Sequence, residues 1–267
     1  MRRVEGRRPG SRDILARPNR RLLEGFAWSN VTLVFDYDGT LAPVVEDRGD
    51  AVLPAPTRAR LCAAARLYPC SVLSGRGQAD VVRFLDGVPL TLIVGNHGAE
   101  WEWRRPDAAR VVAEVRNWRR RLSRALAPFE GVVVEDKSFS LTVHYRHAVA
   151  RRDAIRAIRS AARQLTGARV LGGKECLCVV PRAAEHKGDA LERIRTACRC
   201  DTAVYVGDDV TDEDVFALEA PWLLGIRVGP GARTSASFCL RRQADIDALL
   251  DRLIELRRHP TWRMLAP

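Results

Sequence analysis

Val31-Thr32-Leu33-Val34-Phe35-Asp36-Tyr37-Asp38-Gly39-Thr40 is the stretch on which the fold turns. Its first five residues are apolar or β-branched and show no polar alternation. Such a run predicts a strand buried on both faces, as in a parallel sheet. The Asp-x-Asp-Gly that follows ends the strand in a turn, because Asp and Gly both favour turns. Alone, that tetrapeptide is a common loop feature, and its meaning depends on what the rest of the chain supplies.

Working outward, residues 1–21 are rich in Arg, Gly and Pro and predict a disordered basic tail, with folded structure beginning at Leu22. Downstream, a helix is expected over 57–67. A second strand, Cys70–Leu73, runs into Ser74-Gly75-Arg76. A helix at 78–85 follows, then a third strand at 90–94 ending in Gly95-Asn96-His97-Gly98. Strand, helix, strand, helix, strand is the pattern of a parallel sheet covered on both faces. The rhythm then changes. Val111, Val115, Trp118, Leu122 and Ala125 recur at helical spacing over Ala108–Leu126. Segments 132–135 and 138–145 read as an antiparallel pair, 151–165 as a helix, and 170–171 with 176–180 as the rest of a small sheet. The α/β pattern resumes with a helix at 188–197, a strand at 203–206 running into Gly207-Asp208-Asp209, a helix at 211–218, a strand at 224–228 and a helix at 246–256.

The expected architecture is therefore α/β: a Rossmann-like parallel-sheet core, 22–103 and 183–260, with an α+β cap inserted at 104–182 and a C-terminal tail at 261–267. A chain of 267 residues is ample for such a core. No apolar run is long enough to span a membrane, and the N-terminus lacks the apolar stretch of a secretory signal, so a cytoplasmic protein is expected. The seven cysteines include two Cys-x-Cys pairs, Cys176/Cys178 and Cys198/Cys200. No Cys-x-x-Cys or histidine cluster supports a zinc site, and the thiols read as small buried hydrophobes.

The net charge of +11 raises the question of nucleic acid. Of the 44 basic residues only Lys137, Lys174 and Lys187 are lysines. The arginines are spread from end to end without aromatic interleaving, which weighs against a nucleic-acid surface and is equally compatible with an acidic small molecule. Where Arg is the default cation, a retained Lys marks a place that needs a compact, flexible ammonium.

The chemistry-bearing residues fall at the C-terminal ends of the predicted strands, the edge where open α/β sheets bind ligands. Asp36 and Asp38 follow the first strand, Ser74 the second, Asp208 and Asp209 a later one, and Lys187 opens a helix. Residues i and i+2 of an extended segment face one side, so Asp36 and Asp38 can share a site. Clustered carboxylates repel one another, and a hard cation such as Mg²⁺, which takes oxygen ligands, relieves that repulsion. Asp36 and Asp208 with the Asp38 carbonyl could supply the ligands. A carboxylate attacking a phosphate meets the same repulsion, which Mg²⁺ and Lys187 would offset.

In this order the four segments resemble the motifs of the haloacid dehalogenase superfamily of phosphatases, over about 27–255. Phe35-Asp36-Tyr37-Asp38-Gly39-Thr40-Leu41-Ala42-Pro43, Ser74-Gly75-Arg76, Gly95-Asn96-His97-Gly98-Ala99-Glu100 and Val206-Gly207-Asp208-Asp209-Val210-Thr211-Asp212-Glu213-Asp214 resemble, within it, the trehalose-6-phosphate phosphatases. The resemblance implies an Mg²⁺-dependent hydrolysis of trehalose 6-phosphate through an aspartyl-phosphate. It implies Asp36 as nucleophile and Asp38 as acid and base, with Ser74 and Lys187 holding the phosphoryl group. It further implies Asp36, Asp38 and Asp208 as metal ligands braced by Asp209 and Asp212. Arg76, Asn96 and His97 would line the entrance, and Glu135 and Lys137 of the cap would hold sugar hydroxyls. A monomer acting on a small phosphosugar is expected. Two departures stand out. Cys178 occupies a strand position where the family has a Glu, and Glu175, at an odd offset, is expected on the opposite face. His186 stands where the family has Asn or Ser. Another phosphosugar, of sucrose- or glycosylglycerate-phosphate type, is the alternative substrate.

Overall fold

The structure is a computed structural model that describes residues 12–45, 48–101, 108–173, 175–229 and 234–259. The elements in chain order are β1 (Arg12–Asp13), α1 (Arg20–Trp28), β2 (Val31–Phe35), α2 (Ala55–Ala65), β3 (Cys70–Leu73), α3 (Gln78–Phe84), β4 (Leu92–Val94), α4 (Ala108–Leu126), β5 (Val133–Asp136), β6 (Leu141–His144), α5 (Arg151–Arg163), β7 (Ala168–Gly173), β8 (Cys176–Pro181), α6 (Lys187–Ala197), β9 (Thr202–Gly207), α7 (Glu213–Phe216), β10 (Leu223–Val228), β11 (Phe238–Leu240) and α8 (Ile246–Arg258).

All five residues of β2 are buried, as their unbroken apolar character requires of a strand covered on both faces. β2 lies in a seven-stranded sheet of order β1-β11-β10-β9-β2-β3-β4, and every pairing in it is parallel. One face packs Leu33, Phe35, Val204 and Val206 against Leu249, Leu250 and Leu253 of α8. The other packs Val34, Leu73 and Tyr205 against Ala190, Leu191 and Ile194 of α6. This is the doubly covered parallel sheet that the sequence predicts.

The strands between Val133 and Pro181 form a separate antiparallel sheet, β5-β6-β8-β7. Its apolar face, Leu141, Val143, Leu177 and Val179, packs on Val115, Trp118 and Leu122 of α4 and Ile158 of α5. Strand parity sends the alternate residues, Thr142, His144, Cys176 and Cys178, to the other face. Among the described residues no helix is long and apolar enough to cross a membrane.

The disordered basic tail expected at 1–21 does not extend over 12–21, which are folded. Residues 1–11, like the C-terminal tail 261–267 and Lys174, lie outside the described residues. Arg12 and Asp13, however, pair in parallel with Phe238 and Cys239 as an edge strand. Ile14 is buried in the core, and α1 begins at Arg20 and buries Leu23 and Ala27. The few apolar residues here are spaced to reach the core, and the arginines between them disguise that in composition. Several arginines also do more than coat the surface: Arg193 lies 4.3 Å over the Trp101 ring, and Arg257 covers both Tyr68 and Trp28.

Candidate active site

The ends of β2 and β9 meet at the sheet's centre, where the Asp36 N–H donates to the Val206 carbonyl at 2.8 Å. That pairing brings Asp36 beside Asp208, residues 172 positions apart in the chain. One carboxylate oxygen from each of Asp36, Asp208 and Asp212 lies within 4.8 Å of the other two, and all three residues are buried. Gly39 makes the approach possible. Its φ is +77°, and a Cβ there would overlap the Asp208 carboxylate. Gly207 likewise leaves room for the carboxylate of Asp212.

Lys187, 1% exposed, enters this cluster from the first position of α6. Its Nζ stands 2.6 Å from Asp212 Oδ1 and 3.3 Å from Asp36 Oδ1. Burial alone would depress its pKa, but the carboxylates of Asp212 and Asp36 raise it and hold the ammonium charged. His186 fixes the start of α6: its Nδ1 accepts from the Asp189 N–H at 3.2 Å while Asp189 Oδ2 accepts from the His186 N–H. The histidine thus caps the helix as Asn or Ser would.

Asp212 is fully engaged. Oδ1 accepts from Lys187 and from the Tyr205 hydroxyl at 2.7 Å, and Oδ2 accepts from the Asp209 N–H at 2.8 Å. With its lone pairs so committed it braces the cluster, leaving Asp36 and Asp208 better placed to ligate a cation. Burial pushes the Asp36 pKa well up, Lys187 opposes this, and the Asp212, Asp208 and Asp38 carboxylates add to the rise. Three buried carboxylates this close fit a hard divalent cation, which would take the charge that Lys187 leaves unbalanced.

Asp38 faces the same cavity, held by a two-pronged bond: Arg76 Nε to Oδ2 and Arg76 Nη2 to Oδ1, both 2.7 Å. Arg76 is 5% exposed, lies over the Tyr37 and Phe84 rings, and clamps Asp38 while also lining the cavity. Ser74 is fully buried at the end of β3, its Oγ accepting the Arg76 N–H at 3.1 Å.

Asn96 and His97 take left-handed backbone, φ +49° and +59°, in a short turn after β4. Asn96 does not point into the cavity. Its Nδ2 bonds Glu100 Oε2 and the Lys137 carbonyl, and its Oδ1 accepts from Ser140 Oγ, so it ties the main sheet to the small one. His97 lines the cavity. Lys137 Nζ reaches back to the Gly75 carbonyl at 2.8 Å, and Glu135 Oε2 lies 2.7 Å from His144 Nε2.

Together these residues enclose a cavity of about 790 Å³, with Asp36, Asp38, Lys187 and Asp208 as its floor and Glu135, Lys137, Cys176 and Cys178 in its roof. Residues 34–222 match the family model described as trehalose-phosphatase. The chain belongs to the trehalose-phosphatase family. It is 36% identical over 206 residues to a trehalose-phosphate phosphatase of Mycobacterium avium, covering 72% of this chain and 52% of that one. With the Mycobacterium tuberculosis protein of the same name, identity is 34% over 260 residues, covering 90% and 65%. The chain thus spans about half to two-thirds of the length of these relatives. In fold it is similar to the C-terminal domain of a trehalose-6-phosphate phosphatase of C. albicans, with a TM-score of 0.75 at 22% identity, over 93% of this chain and 99% of that one.

Cys178 lines the cavity roof. Glu175 is a correction. It occupies the turn between β7 and β8 at φ +59°, outside the strand, so strand parity does not govern it. It lines the cavity and pairs with Arg151. Sequence reasoning also passed over Tyr205, Glu100 and His144. A Tyr inside an otherwise aliphatic strand was the available signal for Tyr205, since a buried phenol needs a partner. Glu100 stood inside a quoted motif, and only the fold shows that its Oε2 also accepts the Gln78 N–H at 2.8 Å.

Proposed function

We propose that this chain is an Mg²⁺-dependent phosphatase that hydrolyses trehalose 6-phosphate, with Asp36 as nucleophile. The observation that carries this is the buried Asp36–Lys187–Asp208 arrangement, open to a cavity large enough for a phosphodisaccharide and roofed by polar groups. The names of its relatives supply the substrate.

Asp36 and Asp208, with the Asp38 carbonyl, would hold the cation, which when bound supplies a positive charge against the phosphate. Lys187 adds a second charge at the place where negative charge develops in the transition state. Asp36 attacks phosphorus in line with the departing sugar oxygen and becomes an aspartyl-phosphate. Asp38 delivers a proton to that oxygen and then takes one from the water that hydrolyses the intermediate. To do so it exchanges one Arg76 bond for the substrate, while the other bond keeps it in place. Ser74, beside the Arg76 N–H, turns its hydroxyl toward the phosphoryl oxygens. Glu135 and Lys137 in the roof hold the sugar, and Lys137 ties that roof to the core through Gly75 and Asn96.

A panel of phosphosugars with added Mg²⁺, read by phosphate release, tests the proposal. Turnover of trehalose 6-phosphate far above that of glucose 6-phosphate is expected, and equal rates would overturn the substrate assignment. Cys178 in the roof specifically favours a second reading. If a missing carboxylate leaves one sugar hydroxyl unpaired, a sucrose- or glycosylglycerate-type phosphate would outrun trehalose 6-phosphate in the same panel.

A further inference from the structure

The cavity roof holds chemistry that phosphoryl transfer does not use. Cys176 and Cys178 are two residues apart on β8 and share its cavity face, while Leu177 and Val179 between and beyond them pack into the small sheet's core. Cys178 is only 5% exposed, and its Sγ lies 3.6 Å from Thr142 Oγ1. His97 lines the same cavity from the main sheet's turn and Lys137 from the end of the roof, so two nitrogen-bearing side chains and a second thiol share the cavity wall with Cys178. Hydrogen bonding to Cys176 pulls the Cys178 thiol well down. Burial opposes this, and His97 and the Lys137 charge pull it further. Three thiols outside the cavity shift the opposite way: burial pushes up Cys70 and Cys198, and Cys200 to about 11. Cys178 is buried as its spacing suggested, but its cavity-facing position sets it apart from those three. It is a candidate nucleophile facing a solvent-connected cavity.

We propose that Cys178, flanked by Cys176, His97 and Lys137, is a covalent modification site in the cavity wall, open to peroxides and small soft electrophiles, and that its modification blocks the sugar end of the cavity. With hydrogen peroxide, the Cys178 thiolate attacks one peroxide oxygen. An S–O bond forms, the O–O bond breaks, and the departing hydroxide takes up a proton to become water. The sulfur is oxidised by two electrons to a sulfenic acid and the peroxide is reduced. Two equivalents of an added thiol reverse the change, becoming a disulfide and releasing water. The added oxygen projects into the volume where a sugar hydroxyl would sit. The effect on turnover rests on the phosphosugar reading above, whereas the modification itself does not.

The whole protein is treated briefly with iodoacetamide, and the alkylated cysteine peptides are quantified by mass spectrometry. Cys178 is expected to label about tenfold or more faster than Cys70, Cys198 or Cys200, because thiolate fraction sets the rate. Labelling of Cys178 no faster than of Cys70 overturns the proposal, whether or not the protein hydrolyses any phosphosugar. In a second arm, peroxide-treated protein is assayed before and after dithiothreitol. Wild type loses turnover and regains it, while Cys178→Ser keeps the same fraction of its own untreated rate. Equal fractional loss in Cys178→Ser assigns the inactivation elsewhere and overturns the proposal. Should that variant fold poorly, wild-type labelling decides alone.

Discussion

At the residue scale the site is a charge balance, and its members are expected to respond with opposite signs. Asp36 is a carboxylate whose pKa burial and neighbouring acids have raised. A raised carboxyl contributes its stability below the ordinary carboxylate range and loses it as pH rises through the raised value. In metal-free protein, ionised Asp36 is therefore a net cost at neutral pH. Asp36→Asn should abolish phosphate release and yet leave the metal-free protein at least as stable as wild type. Its advantage in thermal midpoint should widen as pH rises from acid toward neutral, and a midpoint well below wild type at neutral pH would contradict this account. Lys187→Ala goes the other way. It strands Asp36 and Asp212 without their shared cation, which for a buried pair costs about 3–5 kcal/mol. It should lose activity and lower the thermal midpoint by roughly 6–20 °C. Tyr205→Phe is milder. Asp212 keeps Lys187 and the Asp209 N–H, so one hydrogen bond to a carboxylate is lost, worth about 1.5–3 kcal/mol, readable by urea denaturation. Asp36, Lys187 and Asp208 were legible in the sequence because each interrupts an apolar strand or opens a helix. Tyr205 was not, since a phenol within Val-Tyr-Val passes for one more large apolar side chain.

Elements carry a different kind of information. β2, β3 and α4 are found where the sequence placed them, because a run of buried β-branched residues or a 3.6-residue apolar period dictates one structure. β11 was invisible: three residues, Phe238–Leu240, are too short for periodicity to register, and their strand state comes from pairing with β10 and β1. The same limit applies to the segment 138–145, read as a strand throughout. Ser138 takes φ +65°, so the chain turns before β6 begins at Leu141. That turn places Lys137 and Ser140 against Asn96 of the main sheet. Asn96 was read as lining the entrance, but its bonds to Lys137 and Ser140 make it a tie between the two sheets, and its bond to Glu100 anchors it in the core. Asn96→Ala removes all three and puts Ala at a positive φ. It should loosen the roof rather than the chemistry. The expected outcome in steady-state kinetics is a KM raised about tenfold or more with kcat changed less, from the loss of roughly 1–2 kcal/mol of positioning. A fall in kcat alone would place Asn96 nearer the reacting atoms than the structure does.

For the whole molecule, the consequence of the sheet order is that the carboxylate cluster able to hold a metal does not exist in the unfolded chain. Asp36 at the end of β2 and Asp208 after β9 meet only because these two strands are neighbours at the centre of the sheet, a pairing that no local signal specifies. The sequence indicated a parallel sheet with carboxylates at its strand ends. It left unstated which ends adjoin, because strand order is fixed by long-range packing of α6 and α8 on the two faces. A ligand that binds only the folded state stabilises it by mass action, by about 2.7 kcal/mol at a hundredfold excess over its Kd. At about 2–4 °C per kcal/mol, Mg²⁺ should raise the thermal midpoint by roughly 5–10 °C over an EDTA-treated sample. The shift should shrink sharply in Asp208→Asn, which removes a proposed ligand. It should survive in Arg76→Ala, which releases Asp38 but leaves the cluster of Asp36, Asp208 and Asp212 intact. Mg²⁺ stabilisation undiminished in Asp208→Asn would mean that the cation binds elsewhere on the molecule, and the buried carboxylates would need Lys187 alone to balance them.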